Sequence, residues 1–205
     1  MKANSLNIQG ILFIPSIYRL FTNIIAPEKF YSTITNEFIK PKKGDRVLDI
    51  GCGICTILDF LPFVEYSGVD ISQRYIKAAI KKYGNRGTFI CGNISDELFK
   101  GFSDYDIVLA IGVVHHLNNC QANQLFEVAK KALKPGGRLI TLDGCYVTGQ
   151  SPFVRYLLSK DRGKYVRTAD EYLAIASKTF ASIKEHHRNN LLLIPYNHII
   201  LECTA

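Results

Sequence analysis

The stretch Val47-Leu-Asp-Ile-Gly-Cys-Gly53 decides the fold. Val47, Leu48 and Ile50 carry a short strand, Arg46–Ile50, and glycines end it. Backbone without a Cβ lets a ligand come close where a side chain would block it. A helix is expected to follow at once over Ile54–Leu61, stopped by Pro62, so its free N–H groups face the same spot. Asp49 is an acid in an otherwise apolar strand. It either braces the turn through loop amides or lies beside a bound amine. Farther on, Gly68-Val-Asp-Ile-Ser72 closes a second strand, Val64–Val69. Asp70 at that end is placed to accept from both hydroxyls of a ribose. The alternative, a helix N-cap acid, is less needed because Ser72 already supplies a cap. Ile71 stands where it would lie against an adenine face.

Outward from these turns the pattern alternates. Tyr75, Ile76, Ala79 and Ile80 recur at helical spacing, with Lys77, Lys81 and Lys82 opposite, and Gly84 ends the helix. Thr88–Cys91 is a third strand. Tyr105–Ala110 is a fourth, apolar enough to be buried on both faces. Gln121–Leu133 is a helix, stopped by Lys134-Pro-Gly-Gly137, and Arg138–Leu142 is a fifth strand. Ala181–Arg188 and Asn197–Glu202 are two closing strands. The alternation predicts an α/β, doubly wound, mostly parallel sheet, whose ligands bind outside the carboxyl ends of the strands. One domain spans 1–205. A helical N-terminal lid occupies 1–44, through Ser16–Ile25 and Glu28–Ile39. The cofactor-binding core is 45–144, a helical lid insertion 145–180, and the closing strands 181–205.

Composition bounds the partners. The 205 residues are 47% hydrophobic and 21% charged, which excludes a disordered chain. No apolar run reaches the roughly 18 residues of a membrane span, so no membrane insertion is expected. The net charge of +7 permits nucleic acid, an anionic surface or an acidic ligand. Lys40, Lys42, Lys43, Lys77, Lys81, Lys82, Lys130 and Lys131 read as solvated faces. Six cysteines without an export signal suit a reducing, cytoplasmic compartment. Cys52-Gly-Ile-Cys55 is formally a C-x-x-C, but no second pair or nearby histidines make a zinc site of it, and it belongs to the glycine turn.

A ribose-binding acid suits either dinucleotides or S-adenosylmethionine. Dinucleotide sites want G-x-G-x-x-G, and Gly51-Cys-Gly-Ile-Cys-Thr56 lacks the third glycine. The chain resembles the class I S-adenosylmethionine-dependent methyltransferases through ordered motifs in 44–144. They are the two turns above, Phe89-Ile-Cys-Gly-Asn93, the run Tyr105–Leu117, and Leu133-Lys-Pro-Gly-Gly-Arg-Leu-Ile140. Outer features resemble small bacterial members of that family: Ile17-Tyr-Arg-Leu-Phe21, Asp161-Arg-Gly163 with Val166-Arg167, and Ile194-Pro-Tyr196 with His198. The resemblance implies a seven-stranded sheet of order 3-2-1-4-5-7-6 with strand 7 antiparallel. It implies S-adenosyl-L-methionine as cofactor and S-adenosyl-L-homocysteine as product. Gly51, Cys52 and Gly53 would line the methionine part. Asp70 would hold the ribose and Ile71 the adenine, with Asn93 near the adenine amino group and Ile94 giving a backbone amide. Ala110 and Ile111 would touch the methionine amine. Cys55 stands where the family usually has glycine.

His115 and His116 follow the fourth strand. A neutral imidazole there is able to take a proton from an acceptor hydroxyl, His115 being nearer the cofactor edge; the alternative is local packing at a helix start. A metal pair is not expected. The lid insertion carries Tyr146, Arg155, Asp161, Arg162, Tyr165 and Arg167. Asp161-Arg-Gly-Lys164 reads as a turn with an internal salt bridge, or else the arginines hold an anionic acceptor. Tyr18, Arg19, Tyr196 and His198 are further candidates. The fourth strand ends Ala110-Ile-Gly-Val113, not the Asn/Asp-Pro-Pro-aromatic run of exocyclic-amine methylation, and no nucleic-acid-binding domain is appended. A small-molecule acceptor, methylated on oxygen, is therefore expected. A macromolecular acceptor and a non-catalytic cofactor-binding protein are the alternatives.

Overall fold

A computed structural model describes residues 28–94, 99, 101–161 and 163–205. The helix expected at Ser16–Ile25 lies outside them. Helix α1 (Glu28–Ile34) runs on through a wider turn, Thr35–Ile39, and ends at Lys40. Then come β1 (Arg46–Ile50), β2 (Glu65–Asp70), α2 (Gln73–Tyr83), β3 (Gly87–Cys91) and β4 (Tyr105–Ile111). They are followed by α3 (Asn119–Ala132), β5 (Leu133–Tyr146), α4 (Pro152–Ser159), β6 (Arg167–Thr168), α5 (Ala169–Ala176), β7 (Ser182–Arg188) and β8 (His198–Thr204). The sheet order is β3-β2-β1-β4-β5-β8-β7. β1 to β5 pair in parallel, and β8 runs antiparallel to both β5 and β7. The α/β doubly wound sheet is as expected, with one addition. The two-residue β6 pairs with Cys145 and Tyr146 of β5 and makes an eighth strand.

Apolar alternation fills both faces. Ile107 and Leu109 of β4 join α1 and α2 on one side; Val108 and Ala110 join α3 and α5 on the other. All four are at most 1% exposed, so β4 is covered on both faces. Caps explain where helices start. Ser72 Oγ accepts from Tyr75 N–H, and Asn118 and Gln121 exchange side-chain-to-backbone bonds at 3.0 and 3.1 Å, starting α3 before Gln121. The eight lysines expected on solvated faces are all exposed.

Two expectations fail locally. The helix expected over Ile54–Leu61 is shorter and tighter, a 3-10 helix over Thr56–Phe60 that follows Cys55, left-handed at φ +58°. The fifth strand is longer than Arg138–Leu142. Lys134-Pro-Gly-Gly137 lies inside it as an irregularity, where the register against β4 shifts between Tyr105 and Ile107.

Candidate active site

The carboxyl ends of β1, β2, β4 and β5 meet at one edge. There β1 gives way to the glycine turn, which the Gly51 and Cys52 N–H groups tie to the Val69 carbonyl at 2.7 and 3.1 Å. Gly51 has φ +72°, and a Cβ on it would lie 2.6 Å from Val113 Cγ2, so only glycine fits. Asp70 binds the turn to β2: its carboxylate accepts Gly53 N–H at 2.8 Å and Ser72 N–H at 2.7 Å. Each oxygen keeps capacity for another donor. Burial pushes the Asp70 carboxyl upward, against those two N–H groups. Ile71 beside it is 72% exposed, a large apolar side chain left facing outward at the edge. Cys52 and Gly53 are half-buried, Asn93 is exposed and Ile94 half-buried, while Ala110 is buried and Ile111 half-buried.

Asp49 is 4% exposed and accepts from the Tyr66 hydroxyl at 2.6 Å. Burial pushes its carboxyl up to about 7, the Tyr66 bond opposing and the Asp70 charge adding. The expected bond to loop amides is replaced by this one to Tyr66.

His115 departs from expectation. It sits in a short turn after β4, 8% exposed, between two carboxylates. Nδ1 is 2.7 Å from Asp143 Oδ1, and Nε2 is 3.3 Å from Asp161 Oδ1. Burial alone would lower its pKa, but the hydrogen bonds and charges of Asp143 and Asp161 carry it up to about 9. The two carboxylates favour the imidazolium, which has no lone pair to accept a proton, over the neutral base expected at His115. His116 is exposed, its ring 4.2 Å from that of His115.

Asp161 is the keystone of this cluster. Its Oδ1 accepts Gly163 N–H at 2.7 Å and its Oδ2 accepts the Tyr196 hydroxyl at 2.5 Å. Burial would raise its carboxyl, but His115 above all holds it well below the ordinary range. At the expected Asp161–Lys164 turn, Asp161 is paired with His115 and accepts Gly163 N–H. A Cβ on Gly163 would overlap the His115 ring, and Tyr165 N–H reaches the His115 carbonyl at 2.9 Å. The 161–165 turn is thus seated on the end of β4. His198, 5% exposed, lies tilted against Tyr196 with ring centres 4.9 Å apart, and burial holds its pKa down at about 4.

Arg167 is not free for an anionic acceptor. Its guanidinium donates to the carbonyls of Val114, Tyr165 and Leu117 and to Asn119 Oδ1. Tyr146 is half-buried among Val154, Leu158 and Tyr196, with the Arg155 guanidinium 5.4 Å from its ring centre. Tyr18 and Arg162 lie outside the described residues. Sequence reasoning missed Asp143, which is 1% exposed. Its signal was an acid within an apolar strand, as at Asp49.

Residues 48–139 match the family model described as a methyltransferase domain. That span is a little under half of the 205-residue chain, and over it the sheet core is similar to methyltransferase domains. A phosphoethanolamine N-methyltransferase of Triticum aestivum is 30% identical to this chain over 140 residues, 63% of this chain. Those residues are only 27% of the wheat protein, so the chain spans about a quarter of that relative's length. A TehB-like methyltransferase of Corynebacterium glutamicum superposes with a TM-score of 0.71 at 14% identity, covering 97% of this chain and all of that one. The Haemonchus contortus phosphoethanolamine N-methyltransferase 2, crystallised with S-adenosyl-L-methionine, gives a TM-score of 0.73 at 19% identity. It covers 98% of this chain and 58% of that chain. At these identities the structural likeness is one of fold.

Proposed function

We propose that the protein transfers a methyl group from S-adenosyl-L-methionine to a small-molecule acceptor. The observation that carries this reading is Asp70, with lone pairs to spare, held between the glycine turn and outward-facing Ile71. The residues fit the cofactor. Asp70 takes the ribose hydroxyls, Ile71 the adenine, and Gly51–Gly53 and Ala110–Ile111 the methionine part, with Asp49 as counter-charge to its amine. Bound there, the cofactor supplies an electrophilic sulfonium methyl. The chain's part is to align the acceptor in line with it and exclude water. The turn seated on His115 and the 145–180 segment serve as the lid. Six free thiols fit a reducing compartment, and no described helix is long and apolar enough to cross a membrane.

The acceptor atom expected from sequence is oxygen, with His116, exposed beside His115, as a candidate base. Nitrogen is a second reading, and two observations favour it. The Asp143–His115–Asp161 cluster, with its histidine charged, carries one net negative charge, which attracts an amine. The wheat relative is named for phosphoethanolamine. The test is methyl-labelled S-adenosyl-L-methionine offered with panels of small hydroxyl and amine compounds, RNA and protein. Label is expected in a small molecule, and label in RNA or protein alone would overturn the proposal.

A further inference from the structure

Methyl transfer makes no use of the two thiols of Cys52-Gly-Ile-Cys55. Their geometry is that of a pair. Cys55 N–H donates to the Cys52 carbonyl at 2.8 Å, closing a turn through Gly53 at φ +56°. A turn of this kind holds its end Cα atoms within about 7 Å, close to the range of about 4.4–6.8 Å that a disulfide accepts. The side chains converge too. A Cβ built on Gly68 would lie 2.9 Å from Cys52 Sγ and 3.2 Å from Cys55 Sγ, so both sulfurs crowd the same point. Cys55 is fully buried and left-handed at φ +58°, a conformation that glycine adopts without strain and cysteine does not. Cys52 is half-buried and open to reagents.

We propose that Cys52 and Cys55 form a redox-closable dithiol in the cofactor turn, oxidised by a small-molecule disulfide such as glutathione disulfide, and that closure weakens cofactor binding. The Cys52 thiolate attacks one sulfur of glutathione disulfide; that S–S bond breaks and one glutathione leaves. The Cys55 thiolate then attacks Cys52 Sγ, forming the protein disulfide and releasing the second glutathione. The protein pair gives up two electrons, and its two thiol protons end on the two glutathiones.

The surroundings set the rate. Cys55, burial, and the acids Asp49 and Asp70 push the Cys52 thiol well above its ordinary range, and Tyr66 closes the same cluster from β2. The Cys52 thiol is held neutral, so exchange is slow and quickens as pH rises. Asp49 and Asp70 stand against the Cys52 thiolate, so they do not favour the reduced pair once the disulfide is made. The link to binding rests on the methyl-transfer reading. Gly53, inside the closed turn, is the residue whose N–H holds Asp70.

The experiment incubates the whole protein with glutathione disulfide, maps peptide 47–74 by mass, and titrates reduced and oxidised samples with S-adenosyl-L-homocysteine by calorimetry. That peptide is expected to lose two hydrogens, affinity is expected to fall at least about tenfold (one charge-assisted hydrogen bond), and dithiothreitol is expected to restore both. Cys55→Gly, which suits the left-handed backbone, is expected to stop at a glutathione adduct on Cys52. A peptide that keeps all its hydrogens while exposed Cys91 and Cys120 react would overturn the dithiol. Oxidation with unchanged affinity would overturn the switch. A reduced protein that binds no S-adenosyl-L-homocysteine would instead sink the methyl-transfer reading, the disulfide still being judged by mass.

Discussion

Replacing His115 with Gln removes the positive charge between Asp143 and Asp161, and the consequence depends on pH. The His115 pKa rises from 6.5 to about 9, a difference of about 3 kcal/mol between charged and neutral forms. The side chain is 10% exposed, so solvent screens little of it. The depressed Asp161 carboxyl reports the same attraction and adds nothing further. A histidine raised on folding contributes stability that is fully present below 6.5 and lost as pH rises through about 9. Urea unfolding of both proteins at about pH 6 and about pH 9.5 measures this, since other titrations cancel in the difference. The wild type is expected to lose about 3 kcal/mol more than His115→Gln across that range, and the variant to be the weaker protein at pH 6. Parallel losses in the two proteins would refute the imidazolium and return His115 to the list of neutral bases.

Arg167→Ala is expected to cost about 3 kcal/mol, because buried carbonyls of Val114 and Leu117 lose their donor. An unmoved melting temperature with a raised KM would instead make Arg167 an acceptor-binding residue. Asp49, pushed up to about 7, is expected to ionise beside the cofactor's amine, so binding below that pH releases a proton. Calorimetry with S-adenosyl-L-homocysteine at about pH 6.5 in buffers of different ionisation enthalpy reads that proton directly. Equal heats in every buffer would remove Asp49 from the amine.

The sheet was legible because β1, β2 and β4 are apolar runs that end in glycine or acid, a local signal. The helix after β1 is a short 3-10 helix and starts later than its sequence suggests, after left-handed Cys55, a conformation that cysteine seldom announces. Glycine-rich 134–137 looks like a terminator, yet neighbouring strands carry it as an irregularity within β5. In the site, Asp70 and the glycine turn are local and were found. The His115 cluster joins residues 28 and 46 positions apart, and no spacing rule links them. Charge state follows that pairing: His115 alone reads as a base, and between Asp143 and Asp161 its charged form is favoured. Asp161 looked paired with basic neighbours in sequence, but the fold carries it to the end of β4.

The most direct test of the central claim is calorimetry of the reduced protein and its Asp70→Ala variant with S-adenosyl-L-homocysteine, with NAD as control. The account predicts binding by the wild type, a loss of roughly 1–3 kcal/mol in the variant, and no comparable binding of NAD. Equal affinity in both proteins, or tight NAD binding without response to S-adenosyl-L-homocysteine, would contradict it.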